Sequence, residues 1–385
     1  MSLGLSQRHK WVLQSEIRNM TIQCERMGGI NLAQGVCDTE VPTLVRRAVT
    51  RAMDEGINTY TNYAGLPELR HAIAEKHSRL YGIDIDPESE IIVSAGSTGV
   101  FYCACLALLN PGDEVILFEP FYGYHVQTLV ATGGVPAYVR MQPPGWSFSP
   151  EDLERAVTAR TKGIMVNTPA NPSGKVFSYE ELELISDFAR RHDLFVFTDE
   201  IYEHFIYDGN RHTPPMSLPG MRERTITISG VSKTFSITGW RVGYSICDPR
   251  WSQTIGHFND LVYVCAPAPL QIGAAAGMRD LDAGYYERLE KDYLAKREKI
   301  CSSLTRAGLR PFIPAGAYYV LADISRLPGN GSKERVLYLL EQTGVACVPG
   351  NAFYHDHAGE GLARFCFAKE DDILDEACSR LETLR

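Results

Sequence analysis

At 385 residues the chain exceeds the roughly 100 to 200 residues of an ordinary single domain, so a large domain with a smaller companion is the expected organisation. With 44% hydrophobic and 22% charged residues its composition is globular, and no apolar run approaches the ~18 residues that suggest a membrane span. The net charge of −9, from 47 acidic and 38 basic residues without a basic block, argues against nucleic acid as a partner.

Ten cysteines without C-x-x-C or zinc-ligand spacing fit a reducing, cytoplasmic home with no metal, and Met1 to Lys10 lacks the layout of a signal peptide. Cys103 and Cys105 read as small core residues. From about residue 90 to 247, short β-branched apolar runs alternate with helical stretches, the pattern of an α/β fold with a mostly parallel, doubly wound sheet covered by helices on both faces. The predicted strands are Glu90–Ser94, Glu114–Phe118, Val135–Val139, Gly163–Asn167, Leu194–Thr198, Thr225–Ser229 and Arg241–Cys247. Between them, Tyr179–His192 has apolar residues at helical spacing behind Ser178, with Glu180 and Glu181 in the first turn and basic residues in the last. The connection from Ser229 to Arg241 carries Gly230 and Gly239 and is too irregular for a crossover helix, so the strand after it is expected to run antiparallel. Beyond Gln271 a long charged amphipathic helix, Tyr285–Arg306, leads into shorter strand and helix signals. Residues 41–275 are therefore expected to form the large domain, and residues 1–40 with 276–385 a smaller α+β domain.

Polar and aromatic residues gather just past five predicted strands: Ser97 and Thr98, Phe121 and Tyr122, Asn167 and Asn171, Asp199 and Tyr202, and Lys233. In an open parallel sheet that edge binds ligands, and five such places in register point to a single site. Ser94-Ala-Gly-Ser-Thr-Gly leads into an apolar helix after Val100, so its N–H groups and hydroxyls would suit a phosphate, although the same residues also make an ordinary N-cap. Neither a Walker loop nor a G-x-G-x-x-G fingerprint occurs. Asp199 would sit where the sheet is driest, which requires a cation such as a protonated ring nitrogen unless the residue is a structural cap. An amine at Lys233 would lose solvation and become nucleophilic there, whereas a lone loop lysine is ordinarily solvated.

Together the motifs resemble the fold-type I, pyridoxal-phosphate-dependent aminotransferases of class I/II, the group of aspartate, aromatic and kynurenine aminotransferases. The resemblance spans nearly the whole chain and rests on Asn31-Leu-Ala-Gln-Gly, Tyr60-Thr-Asn-Tyr-Ala-Gly-Leu-Pro-Glu-Leu-Arg, Asn167-Thr-Pro-Ala-Asn-Pro-Ser-Gly, Thr198-Asp-Glu-Ile-Tyr, Ser232-Lys-Thr-Phe-Ser-Ile-Thr-Gly-Trp-Arg-Val-Gly and Ala363-Arg-Phe-Cys-Phe-Ala. It implies that Lys233 holds the cofactor as a Schiff base and shuttles the proton, while Asp199 pairs with the pyridinium nitrogen. By the same resemblance Asn171 and Tyr202 hydrogen-bond the ring's phenolate oxygen, and Tyr122, with Phe121 as its rival, stacks on the ring. Ser97, Thr98 and Arg241 would bind the phosphate, and Tyr60 would reach the same phosphate from a second subunit, which implies a homodimer with shared sites. Arg364 would fork onto the substrate α-carboxylate, with Gly35 leaving room beside it and Asn171 also at the substrate. Gly96 and Gly65 are expected to serve turns.

One departure stands out. Three residues before the lysine the family often has a serine that touches the phosphate, and this chain has Gly230; either Ser229 or Ser232 compensates or one hydrogen bond is missing, and cofactor affinity is the property this affects. The implied activity is ping-pong transfer of an amino group from an L-amino acid to a 2-oxo acid. A carbon–sulfur β-lyase on the same fold is the alternative that these motifs do not separate. A regulator built on the same domain would carry an added DNA-binding module, and only about 30 residues precede Asn31; a nucleotide-dependent enzyme would need the absent phosphate loop. Trp11, Tyr63, Tyr122, Tyr318 and Tyr319 leave aromatic, methionine-like and acidic substrates all open.

Overall fold

The computed structural model describes residues 4–10, 12 and 14–384, so Trp11 lies outside the described residues. A short strand β1 (Ile30–Asn31) precedes seven that form one sheet: β2 (Ile91–Ser94), β3 (Glu114–Glu119), β4 (Val135–Arg140), β5 (Thr161–Asn167), β6 (Phe195–Asp199), β7 (Thr225–Gly230) and β8 (Gly243–Ile246). Their order is β2-β8-β7-β6-β5-β3-β4. Every pairing is parallel except those of β8, which lies antiparallel between β2 and β7, as the short connection before it requires. Arg241, expected to open that strand, instead sits before it at φ 56°.

The helices form where local signals and burial agree. Tyr179–Arg191 starts on a capping box in which Ser178 and Glu181 satisfy each other's backbone N–H groups. The helix expected after Val100 begins earlier, at Gly96, which puts Ser97 and Thr98 inside its first turn. After the large sheet come the helix Ala283–Arg306, capped by Asp282, and strands β9 (Arg310–Phe312), β10 (Tyr319–Asp323), β11 (Val345–Ala346), β12 (Val348–Pro349) and β13 (Leu362–Cys366). Strands β12-β13-β10-β9 make an antiparallel sheet, and β1 pairs in parallel with β11.

One apolar cluster joins the two larger sheets, with Ile116, Phe118 and Val166 from the first and Val320 and Phe365 from the second. The cleft between them therefore has walls on packed, rigid elements. Among the described residues no helix is long and apolar enough to cross a membrane.

Candidate active site

At the C-terminal edge of β3, β5, β6 and β7 a cleft of about 1330 Å³, counting its open mouth, collects ten of the eleven expected residues. They are Gly35, Ser97, Thr98, Tyr122, Asn171, Asp199, Tyr202, Lys233, Arg241 and Arg364. Tyr60 is not among them and stands 83% exposed.

The anion end is a close-fitting cradle. Ala95, the N-cap of helix Gly96–Leu108, has no side-chain oxygen to offer, so the first-turn N–H groups remain open to a ligand and the ordinary N-cap reading falls away. Gly96 has φ 79°, and a Cβ there would lie 2.3 Å from Arg241 Nη2. Gly65, at φ 97°, likewise occupies a turn conformation that suits glycine. A Cβ on Gly243 would lie 2.3 Å from the Ser97 nitrogen, so only glycine lets β8 pass this helix end. Arg241 is held over the cradle by Nη1, which donates to Thr238 O at 2.9 Å. A phosphate fits this donor set.

Gly230 has a local cause, since a Cβ would meet Val242 O at 3.0 Å and Gly243 Cα at 3.1 Å across the β7–β8 pair. Ser229 cannot compensate, because its hydroxyl donates to Glu203 Oε1 at 3.3 Å on another side of the turn. Ser232, by contrast, lines the cleft.

Deeper in, Asp199 is buried, with Oδ2 2.9 Å from His125 Nε2 and Oδ1 accepting the Ile201 N–H at 3.3 Å. Sequence reasoning missed His125. Its signal was present: His125 lies three residues after Tyr122 at the start of helix Gly123–Thr132, so both belong to one face, and their rings meet edge-on at 5.2 Å. Asn167 ties the ends of β5 and β6 by donating to Asp199 O at 3.0 Å, and its Oδ1 accepts the Asn171 N–H at 2.8 Å.

Lys233 Nζ donates to Gly35 O at 3.2 Å and lies about 6 Å from the rings of Tyr202 and Tyr318. Burial lowers its pKa below the ordinary lysine value, opposed chiefly by Cys37, which favours the free amine that a nucleophile or base needs. Tyr202 and Tyr319 share a hydroxyl hydrogen bond at 2.9 Å, and burial pushes the Tyr202 phenol well above its usual range, so it stays protonated and able to donate. Tyr319 also explains Gly35: a Cβ there would lie 1.8 Å from the Tyr319 oxygen, so the space that glycine leaves is taken by this hydroxyl.

Arg364 on β13 is fully buried. Its Nη1 donates to Asn171 Oδ1 at 2.8 Å and Nη2 to Ala33 O at 2.5 Å, with the guanidinium 4.3 Å from the Tyr319 ring centre. Nε has no partner, and no acidic side chain among the described residues pairs with the guanidinium.

An anion cradle beside β2 and β8, a shielded amine after β7 and a buried carboxylate at the end of β6, set in this order along one sheet edge, define a fold-type I enzyme that uses pyridoxal phosphate. Residues 28–381 match the family model for aminotransferases of class I and II. The chain belongs to that family and is a pyridoxal-phosphate-dependent transaminase. It is 36% identical over 376 residues to a probable N-succinyldiaminopimelate aminotransferase of Mycobacterium tuberculosis, covering 95% of this chain and 94% of the relative. An aspartate aminotransferase of Pyrococcus abyssi is 36% identical over 384 residues, covering 99% and 98%. The solved structure of N-succinyldiaminopimelate aminotransferase from Mycobacterium tuberculosis matches with a TM-score of 0.96 at 34% identity, covering 99% of this chain and 100% of that one. All three are named aminotransferases, and nothing in these likenesses favours the β-lyase alternative.

Proposed function

We propose that the cleft performs transamination with Lys233 as the attachment and proton-transfer residue and Arg364 as the substrate carboxylate's partner. One observation carries this reading: the cleft holds a shielded guanidinium, Arg364, and a shielded amine, Lys233, and neither forms an ion pair with an acidic side chain among the described residues. A buried guanidinium without a counter-charge is costly, and an anionic substrate would relieve it, while an uncharged amine is free to bond a carbonyl cofactor.

Bound pyridoxal phosphate supplies a ring that accepts the electron pair left when the substrate Cα loses its proton. Arg364 holds the α-carboxylate through parallel charge-assisted hydrogen bonds and so orients the Cα–H bond. Lys233, as a free amine in the cleft, would be the group that accepts and gives back that proton. Asp199, steadied by His125, would keep a proton on the ring nitrogen, and Asn171 and Tyr202 would hydrogen-bond the ring oxygen. Tyr122 would cover the ring, and Ser97, Thr98 and Arg241 would hold the phosphate. The same residues run the sequence in reverse for the incoming 2-oxo acid.

The chain is also proposed to act as a homodimer with shared sites. Tyr60 is exposed, and Tyr63 O accepts from Asn259 Nδ2 at 2.8 Å on a helix, Pro249–Tyr263, whose end bears exposed Leu261, Val262 and Val264. Such an apolar patch suits a subunit contact. We likewise propose a large domain over residues 41–275, a smaller one over 1–40 with 276–385, and a cytoplasmic location, which the ten free cysteines support.

Borohydride reduction of the yellow holoenzyme followed by peptide mapping tests the central assignment. The pyridoxyl group is expected on Lys233, with visible absorbance lost in Lys233→Ala; a label on any other lysine overturns it.

A further inference from the structure

Behind the turn that carries Asp199 and Tyr202 lies a second group of ionisable side chains that the proposed chemistry does not use. Asp199 and Tyr202 line the cleft, whereas Glu200 and Glu203 from the same turn enter a buried polar cluster. The Glu203 carboxylate accepts from Lys76 Nζ at 2.5 Å, Tyr81 Oη at 2.5 Å and Ser229 Oγ at 3.3 Å. Lys76 Nζ also donates to Tyr244 Oη at 2.9 Å. Glu200 accepts from Thr198 Oγ1 at 2.6 Å and Thr227 Oγ1 at 3.3 Å, and lies 2.6 Å from His212 Nε2.

The turn is thus fastened directly to helix Pro67–Tyr81 and to β7, and through Lys76 to Tyr244 of β8. The side chains of Lys76 and Glu203 are only 3% and 5% exposed. Burial opposes charge on each, yet Lys76 holds Glu203 well below the carboxylate range and Glu203 holds Lys76 above the lysine range, so both stay charged at working pH. An apolar pair of the same volume would stabilise the fold at least as well, which leaves directional anchoring as what the ions add. Glu203 follows Tyr202 directly, and Ser229 lies four residues before Lys233, so displacement of the carboxylate is passed straight to groups that need sub-ångström placement.

We propose that the buried Lys76–Glu203 pair is a positioning pair that sets where Asp199 and Tyr202 meet the cofactor, without itself touching cofactor or substrate. The inference rests on the reading of Asp199 and Tyr202 given above. It is tested on holoenzyme carrying Glu203→Gln, Lys76→Met, the double change Lys76→Met/Glu203→Gln, or Tyr81→Phe, which removes one hydrogen bond and keeps both charges. The measurements are the pH midpoint of the bound cofactor's visible absorbance, the apoprotein's affinity for pyridoxal phosphate, kcat and KM, and the melting temperature.

In Glu203→Gln the midpoint is expected to move by about half a pH unit or more and kcat to fall about tenfold, with KM changed less than about threefold because Arg364 is untouched. The double variant should behave likewise, and Tyr81→Phe, the variant that decides the matter if the charge changes prevent folding, should shift the midpoint in the same direction by less. Folded, loaded variants with the parent midpoint and kcat, and only a lower melting temperature, would reduce the pair to a structural one and overturn the proposal. Asp199→Asn is the control. If it fails to move the midpoint, the reading of Asp199 fails and the proposal falls with it; if it moves the midpoint and no pair variant does, the pair alone is rejected.

Discussion

Replacing Arg364 tests the reading of the cleft most directly, because its side chain meets only neutral protein atoms. Arg364→Ala removes two hydrogen bonds, to Asn171 and Ala33, and the contact with the Tyr319 ring, while Nε had no partner to lose. For the empty enzyme these losses are offset by removal of a buried unpaired charge, so the melting temperature should change little. For the substrate the loss is one-sided, since its carboxylate would enter a dry site without a counter-charge. Truncating one partner of such a buried pair costs about 2 to 5 kcal/mol, or roughly 30-fold to 5000-fold in kcat/KM. Arg364→Lys keeps a charge but not the planar fork, so its kcat/KM should fall between those of the parent and the alanine variant. The assay compares amino acids with simple amines, which lack a carboxylate, in variants whose cofactor absorbance is unchanged. Amino acids should suffer the full loss and amines almost none. Equal losses on both would show that Arg364 supports the fold or the cofactor, and the substrate assignment would have to be given up.

Two further outcomes follow from the same structure. Mixing Tyr60→Phe chains with Lys233→Ala chains should restore activity in hybrid dimers, because one site then carries both lesions and the other neither; a mixture no more active than its components would place Tyr60 in its own chain's site. Burial, with Lys76 adding to it, lowers the pKa of His77 to about 3, and burial lowers that of His204 to about 4, so both are neutral when folded. Their contribution to stability is full above the unfolded value near 6.5 and is lost as pH falls toward those folded values. His77→Phe should therefore flatten the fall of the urea midpoint between about pH 6 and 4, and an unaltered slope would refute the role of His77.

What the sequence made legible follows from the range of the forces involved. Strand ends came within a residue or two because β-branched runs bounded by turns report local burial, and a parallel sheet puts its strand ends on one edge. The antiparallel β8 was legible from the length of one connection. His125, the pairing of Tyr319 with Tyr202 and the Lys76–Glu203 pair were not, since each matters through a partner distant in sequence: Asp199 for His125, Tyr202 and Gly35 for Tyr319, and 127 positions between the ions. Helix Gly96–Leu108 starts earlier than its sequence suggests because glycine, serine and threonine are poor helix formers, and it is the docking of its N-terminus beside Gly243 that holds the first turn.

The cleft draws its residues from two sheets. Lys233, Asp199 and the anion cradle belong to the large sheet, whereas Arg364 and Tyr319 stand on β13 and β10 of the smaller one. Two direct bonds cross between them at the site, Arg364 to Asn171 and Tyr202 to Tyr319, with Lys233 reaching Gly35 on a third segment. Asn171 and Tyr202 are the residues assigned to the cofactor's ring oxygen, and each is bonded to the sheet that would hold the substrate's carboxylate. A substrate carboxylate that engages Arg364 therefore acts on a guanidinium already coupled to Asn171. Carboxylate capture and the hydrogen bonding of the ring oxygen share one network, so occupying the substrate site should bear on proton affinity at the cofactor without any large movement of the sheets.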